Sequence, residues 1–141
     1  MLKRFLSQKS PTLHLLLLSA CLLASLAGCG EGQPAGPAAA IEAYLQALVS
    51  QDADGVTNNS CANWEAEAMT EYNSFAAVTA SLEDLNCQET GRDGTAAQVS
   101  CTGQIVANYN GEDLEIDLSD RIYQVVEEGG DWRMCGYLGL R

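Results

Sequence analysis

Apolar residues recur at helical spacing near the start of the chain's middle third. Ile41, Tyr44, Leu45, Leu48 and Val49 stand at i, i+3, i+4, i+7 and i+8. This single stripe predicts an amphipathic helix, and Pro37 suits its first turn because a proline lacks only an N–H that the helix would leave unpaired there. Asp52-Ala53-Asp54-Gly55 breaks the stripe and can cap a short second helix. A third helix is expected from about Asn63, with Trp64, Ala68, Tyr72 and Phe75 along one side.

From about residue 80 the period changes from helical to alternating. Leu82 to Thr90 is the first expected strand, followed by a turn at Gly91-Arg92-Asp93-Gly94. In the next run, Ala96 to Tyr109, the residues Val99, Cys101, Gly103, Ile105 and Ala107 share one face. Asn110-Gly111 is a hairpin dipeptide, since both central residues of that turn need positive φ. Leu114, Ile116 and Leu118 resume the alternation, and Ile122 to Val126 continue it past a bulge near Asp120. Gly129-Gly130 turns the chain into a last strand, Asp131 to Leu138, containing Trp132, Met134 and Tyr137.

Helices first and an antiparallel meander afterwards give an α+β class, with the helices on one face of a curved four-stranded sheet. The helix Ala-Ile-Glu-Ala-Tyr-Leu-Gln-Ala-Leu, the Asp-Ala-Asp break, more helix, and strands closing on Gly-Asp-Trp-Arg-Met resemble the nuclear-transport-factor-2-like superfamily. That resemblance covers about residues 37–138 and implies a cystatin-like roll. The superfamily includes ligand-binding domains, polyketide cyclases and ketosteroid isomerases, so the fold alone selects no activity.

Ahead of the domain, Lys3, Arg4 and Lys9 precede an apolar run over residues 13–27, which ends in Leu26-Ala27-Gly28-Cys29. A basic start, a short apolar core and small residues form the anatomy of a secretory signal peptide. The run is too short to span a bilayer, which takes roughly 20 residues. Its ending resembles the lipobox of bacterial lipoproteins. The resemblance implies cleavage after Gly28 and a lipid on the Cys29 thiol; Gly30 in the next position points to the outer membrane in a two-membrane cell. The expected organisation is therefore a signal peptide over residues 1–28, a lipidated tether over 29–36 and a roll over 37–141. The tether, extended, reaches only about 25 Å.

Cleavage also changes the electrostatics. The whole chain has a net charge of −12, and loss of the three N-terminal basic residues leaves four arginines against 19 acidic residues, about −15. Such a surface repels nucleic-acid phosphates and anionic headgroups, so nucleic acid is not an expected partner. The single histidine, His14, is lost as well, which removes histidine-based triads and histidine-ligated zinc from consideration. No cofactor or metal is expected. Cys61, Cys87, Cys101 and Cys135 form no Cys-x-x-Cys pair and read as two disulfides of an exported domain. Cys87 with Cys101 and Cys61 with Cys135 is the favoured pairing, because the first pair flanks one turn; Cys61 with Cys87 and Cys101 with Cys135 is the alternative.

Candidate chemistry is sparse. Asp117, Asp120, Tyr109 and Tyr123 supply the carboxylates and phenols that a cavity isomerase or cyclase would use, but an acidic solvated strand face accounts for the carboxylates equally well. Asp52-x-Asp54-Gly55 begins like a calcium loop and fails at its twelfth position, which is Asn63. Glu112, Asp113, Glu115 and Asp117 read as a solvated strand face. Asn58-Asn59-Ser60 matches a glycosylation acceptor by chance, and Trp64 and Trp132 read as core residues joining helix to sheet. The expected function is non-catalytic binding of a small ligand or an envelope protein, by a domain anchored to the bilayer through Cys29. The expected ligand face is the uncovered part of Val99, Ile105, Leu114, Ile116 and Leu118.

Overall fold

The computed structural model describes residues 36–140, so the signal peptide, Leu26-Ala27-Gly28-Cys29 and nearly all of the tether lie outside the described residues. Three helices come first: α1 (Pro37–Val49), α2 (Ala53–Asn58) and α3 (Glu65–Ser74). The expected stripe is the buried face of α1, where Ile41, Tyr44, Leu45, Leu48 and Val49 are all in the core. Asp52 caps α2 as expected, its Oδ1 accepting from Gly55 N–H at 3.0 Å. A Cβ at position 55 would run into that carboxylate, which is why glycine follows the cap.

Five strands follow: β1 (Thr79–Asp93), β2 (Ala96–Tyr109), β3 (Glu112–Asp117), β4 (Arg121–Glu128) and β5 (Asp131–Leu140). They form one antiparallel sheet in the order β1-β2-β4-β5, with β3 also paired to β2. The class is the expected α+β; the strand count is five instead of four. β3 and β4 lie along the same side of β2, Gln104 opposite Asp117 and Ser100 opposite Ile122. Four steps along β2 therefore match five along the partner, and the extra residue is the irregularity expected near Asp120. Asp117 Oδ1 accepts from both the N–H and the hydroxyl of Ser119, at 2.8 and 2.7 Å, and this local turn swings Leu118 into the core.

Two further boundaries differ from expectation. β1 begins at Thr79 and continues through Arg92 to Asp93, opposite Ala96, so the turn shrinks to Gly94-Thr95. A register shift between Glu89 and Gly91 lets the strand absorb the glycine that looked like a turn residue. A second shift, between Glu83 and Asn86, faces Gly103, which has φ 97°. A side chain at 103 would collide with the carbonyls of Glu83 and Asp84, while Gly103 O accepts from Leu118 N–H on the other side at 3.1 Å. The sheet thus bends where irregularities in β1 and in β3–β4 meet one residue of β2.

α1 packs across β1, β2, β4 and β5. Beneath it, Val99, Cys101, Ile105, Tyr123, Val125 and Met134 complete the core. The disulfides are Cys87–Cys101 and Cys61–Cys135, the favoured pairing. The first joins directly opposed residues of β1 and β2. The second fastens the chain after α2 to β5, where Cys61 N–H donates to Met134 O and Met134 N–H to Asn59 O, each at 2.8 Å.

Candidate functional site

α1 and α3 do not close over the whole concave face, and a cleft of about 190 Å³ remains between them and the sheet. Its apolar wall is Leu45 and Leu48 from α1, Phe75 beyond α3, Ile105 from β2 and Ile116 from β3. Its polar groups are Glu71 and Ser74 of α3, Arg121 at the start of β4 and Tyr137 of β5. Drug-sized ligands occupy pockets of roughly 300–1,000 Å³, so this cleft suits a small metabolite and not a steroid-sized substrate.

The polar groups form a linked set. Glu71 Oε2 accepts from Tyr44 Oη at 2.6 Å. The Arg121 guanidinium sits 5.3 Å from the centre of the Tyr137 ring, with Nη1 3.5 Å from the Tyr137 hydroxyl. Trp64 meets Tyr137 edge-on with centroids 5.6 Å apart, and Tyr123 packs against Tyr137 at 5.4 Å. Burial, then the charge of Glu71, pushes the Tyr44 and Tyr137 phenols well above their usual range. Burial pushes Tyr123 up to about 12 against the opposing pull of Arg121. These phenols stay protonated at neutral pH and act as fixed dipoles.

Of the five expected ligand-face residues, Ile105 and Ile116 line the cleft. Val99 lies sealed beneath the helices, and Leu118 is turned under by the Asp117–Ser119 contact. Leu114 is 63% exposed, on a hairpin end that the helices do not reach, so it is not part of the cleft. The carboxylates and phenols considered for an enzyme do not converge either. Tyr109 is 57% exposed near the hairpin tip, Asp117 serves its turn, held below the usual carboxylate range by Ser119, and Asp120 is exposed. Only Tyr123 adjoins the site. Trp64 and Trp132 are half-buried against the core, as expected, the latter beneath the Arg92 guanidinium at 4.6 Å.

Glu71, Arg121, Tyr44 and Tyr137 were not singled out from sequence as site residues. A signal for Glu71 was present: with Trp64, Ala68 and Phe75 it falls at i, i+4, i+7 and i+11, a carboxylate in an otherwise apolar stripe. Two larger hollows are weaker candidates. One of about 430 Å³ opens along Gly91, Arg92, Gln98, Gln124 and Leu138, and one of about 460 Å³ lies beside Pro37, Glu42, Glu89 and Arg92. Both are open to solvent, and their shared cation is already held by Glu89 through two contacts of 2.6 Å. No group of three or more metal-ligating side chains is present among the described residues.

No family model matches the sequence, and no curated protein matches it. Among solved structures, the chain is similar to a SEC-C motif containing protein from Rhodopseudomonas palustris, with 12% identity and a TM-score of 0.54 over 78% of this chain and 83% of that one. At that identity the likeness concerns the fold alone. A second structure, an NTF2 protein carrying five substitutions, gives a TM-score of 0.41 at 13% identity, over 67% of this chain and 87% of the other, and is too loose to inform the fold.

Proposed function

We propose that this chain is an exported, lipid-anchored protein whose single domain, an NTF2-like roll, binds a small ligand in the cleft between α1, α3 and the sheet without transforming it. The observation that carries the binding reading is the cleft itself: an apolar wall with a few convergent polar groups, the usual composition of a ligand site. The two disulfides suit an oxidising compartment, in keeping with export. The lipid anchor rests on the Leu26-Ala27-Gly28-Cys29 motif.

The absence of chemistry is supported by the state of the candidate groups. The carboxylate nearest a phenol, Glu71, is engaged with the wholly buried Tyr44, and burial holds Tyr44 and Tyr137 far from proton release. A cavity isomerase or cyclase remains the alternative, and the Glu71–Tyr44 pair is the observation in its favour. Native mass spectrometry of the full-length protein, gently released from membranes, tests the binding reading. A co-purifying small molecule is the expected result. Capture of proteins alone would favour an adaptor, and turnover of a captured molecule would favour the enzyme. Metabolic labelling with a fatty acid should mark the wild type and not Cys29→Ser; equal labelling of both would end the lipoprotein reading.

A further inference from the structure

We infer that the ligand of this cleft is a small aliphatic zwitterion, its carboxylate on Arg121, its ammonium on Glu71 and its body against Leu45, Leu48, Ile105 and Ile116. The inference rests on the proposal that the cleft is a ligand site. Its starting point is an asymmetry among the cations. The residues 36–140 contain three arginines and no lysine or histidine. Arg92 is paired with Glu89 at 2.6 Å and Arg133 with Asp131 at 3.8 Å. Of the three described arginines, Arg121 alone has no carboxylate of a described residue within 4.0 Å, although acidic groups greatly outnumber basic ones in this domain.

Arg121 is also fixed in place. It lies over the Tyr137 ring, with one nitrogen near that residue's hydroxyl, and its planar fork matches a carboxylate bidentately. Glu71 lines the same cleft and is held by Tyr44, and a carboxylate accepts from an ammonium group as readily as from a phenol. One acidic and one basic group, both in an apolar cleft and not paired with each other, are complementary to a molecule carrying both opposite charges. Charge pairs against such a wall are stronger than in open water. The long-range field points the same way. A domain with so large an acidic excess repels an anion approaching from solvent, whereas a zwitterion is neutral overall and feels little of this repulsion. The volume of about 190 Å³ equals roughly six waters at 30 Å³ each, enough for an amino-acid-sized molecule.

The test is a set of titrations by isothermal calorimetry on the full-length protein in nanodiscs, with four probes of one shape: leucine, 4-methylpentanoate, 3-methylbutylamine and 4-methylpentan-2-ol. The expected result is leucine binding at least about tenfold tighter than each of the other three, because each lacks one or both charge-assisted contacts. Glu71→Gln and Arg121→Lys should each weaken leucine by about tenfold and so narrow its advantage over the alcohol. Binding of the alcohol or either singly charged probe as tightly as leucine would overturn the zwitterion while leaving a ligand cleft in place. Failure of all four probes to bind would remove the ligand cleft together with the zwitterion. The comparison among probes on the wild type needs no variant, so misfolding of Arg121→Lys would not shield the inference.

Discussion

At the scale of single residues, the site depends on a contact that also belongs to the core. Tyr44 is wholly buried on α1, and its hydroxyl reaches Glu71, 27 residues later on α3. Tyr44→Phe keeps the ring and removes the hydrogen bond to a carboxylate. Such bonds contribute roughly 1.5–3 kcal/mol, and because Glu71 is only half-buried, water can replace part of the loss. A loss of about 1–2 kcal/mol in urea unfolding is expected, with the fold retained. An unchanged midpoint would mean that the bond does not organise the cleft. Glu71 is also the residue that sequence reading let pass. A carboxylate in the apolar stripe of α3 looks like a solvated neighbour until the phenol it accepts from is seen, and that phenol comes from another helix.

At the scale of elements, the two disulfides do unequal work. Cys87–Cys101 closes 14 residues across adjacent strands that already pair, whereas Cys61–Cys135 spans 74 and holds the segment between α2 and α3 against β5. In the chain-entropy model the short loop contributes roughly 3 kcal/mol and the long one more than 4. Cys61→Ala/Cys135→Ala should therefore destabilise more than Cys87→Ala/Cys101→Ala, by about 1.5 kcal/mol in denaturant unfolding. A reversed order would show that local geometry outweighs loop entropy here. These elements were legible where a local rule decides them: the α1 stripe, the Asp52 cap, and the two-residue turns at Asn110-Gly111 and Gly129-Gly130, whose four residues all have positive φ. They were misread where pairing decides. Gly91-Arg92-Asp93 has turn composition, yet β2 recruits it into β1 through a bulge. Which apolar strand residues face the cleft depends on how far the helices reach, and no local pattern encodes that.

At the scale of the whole molecule, the composition produces an unusual pH response. The residues 36–140 hold no lysine and no histidine, and all four cysteines in that range are bridged. Nothing in the domain therefore titrates between the carboxylates and the tyrosines. Tyr44, Tyr123 and Tyr137 all have folded-state values raised above the usual 10.0, burial being the first cause in each case. A raised value means that the folded state keeps a proton which the unfolded state releases. Stability is then fully present below about pH 10 and falls above it, by up to about 1.4 kcal/mol per pH unit for each such tyrosine. Thermal unfolding should give a level midpoint from pH 7 to 9 and a steep fall beyond 10. A marked decline already between pH 7 and 9 would contradict this account.

The proposed ligand site is the cleft between α1, α3 and the sheet. Amide chemical-shift mapping of the full-length protein in nanodiscs, titrated separately with leucine and with 4-methylpentan-2-ol, tests it most directly. With at least one of the two probes, saturable shifts are expected, centred on Leu48, Glu71, Ile116, Arg121 and Tyr137, with little change at the exposed hairpin of Tyr109 and Leu114. Shifts centred on Arg92 and its open groove, or no saturable shift with either probe, would contradict it.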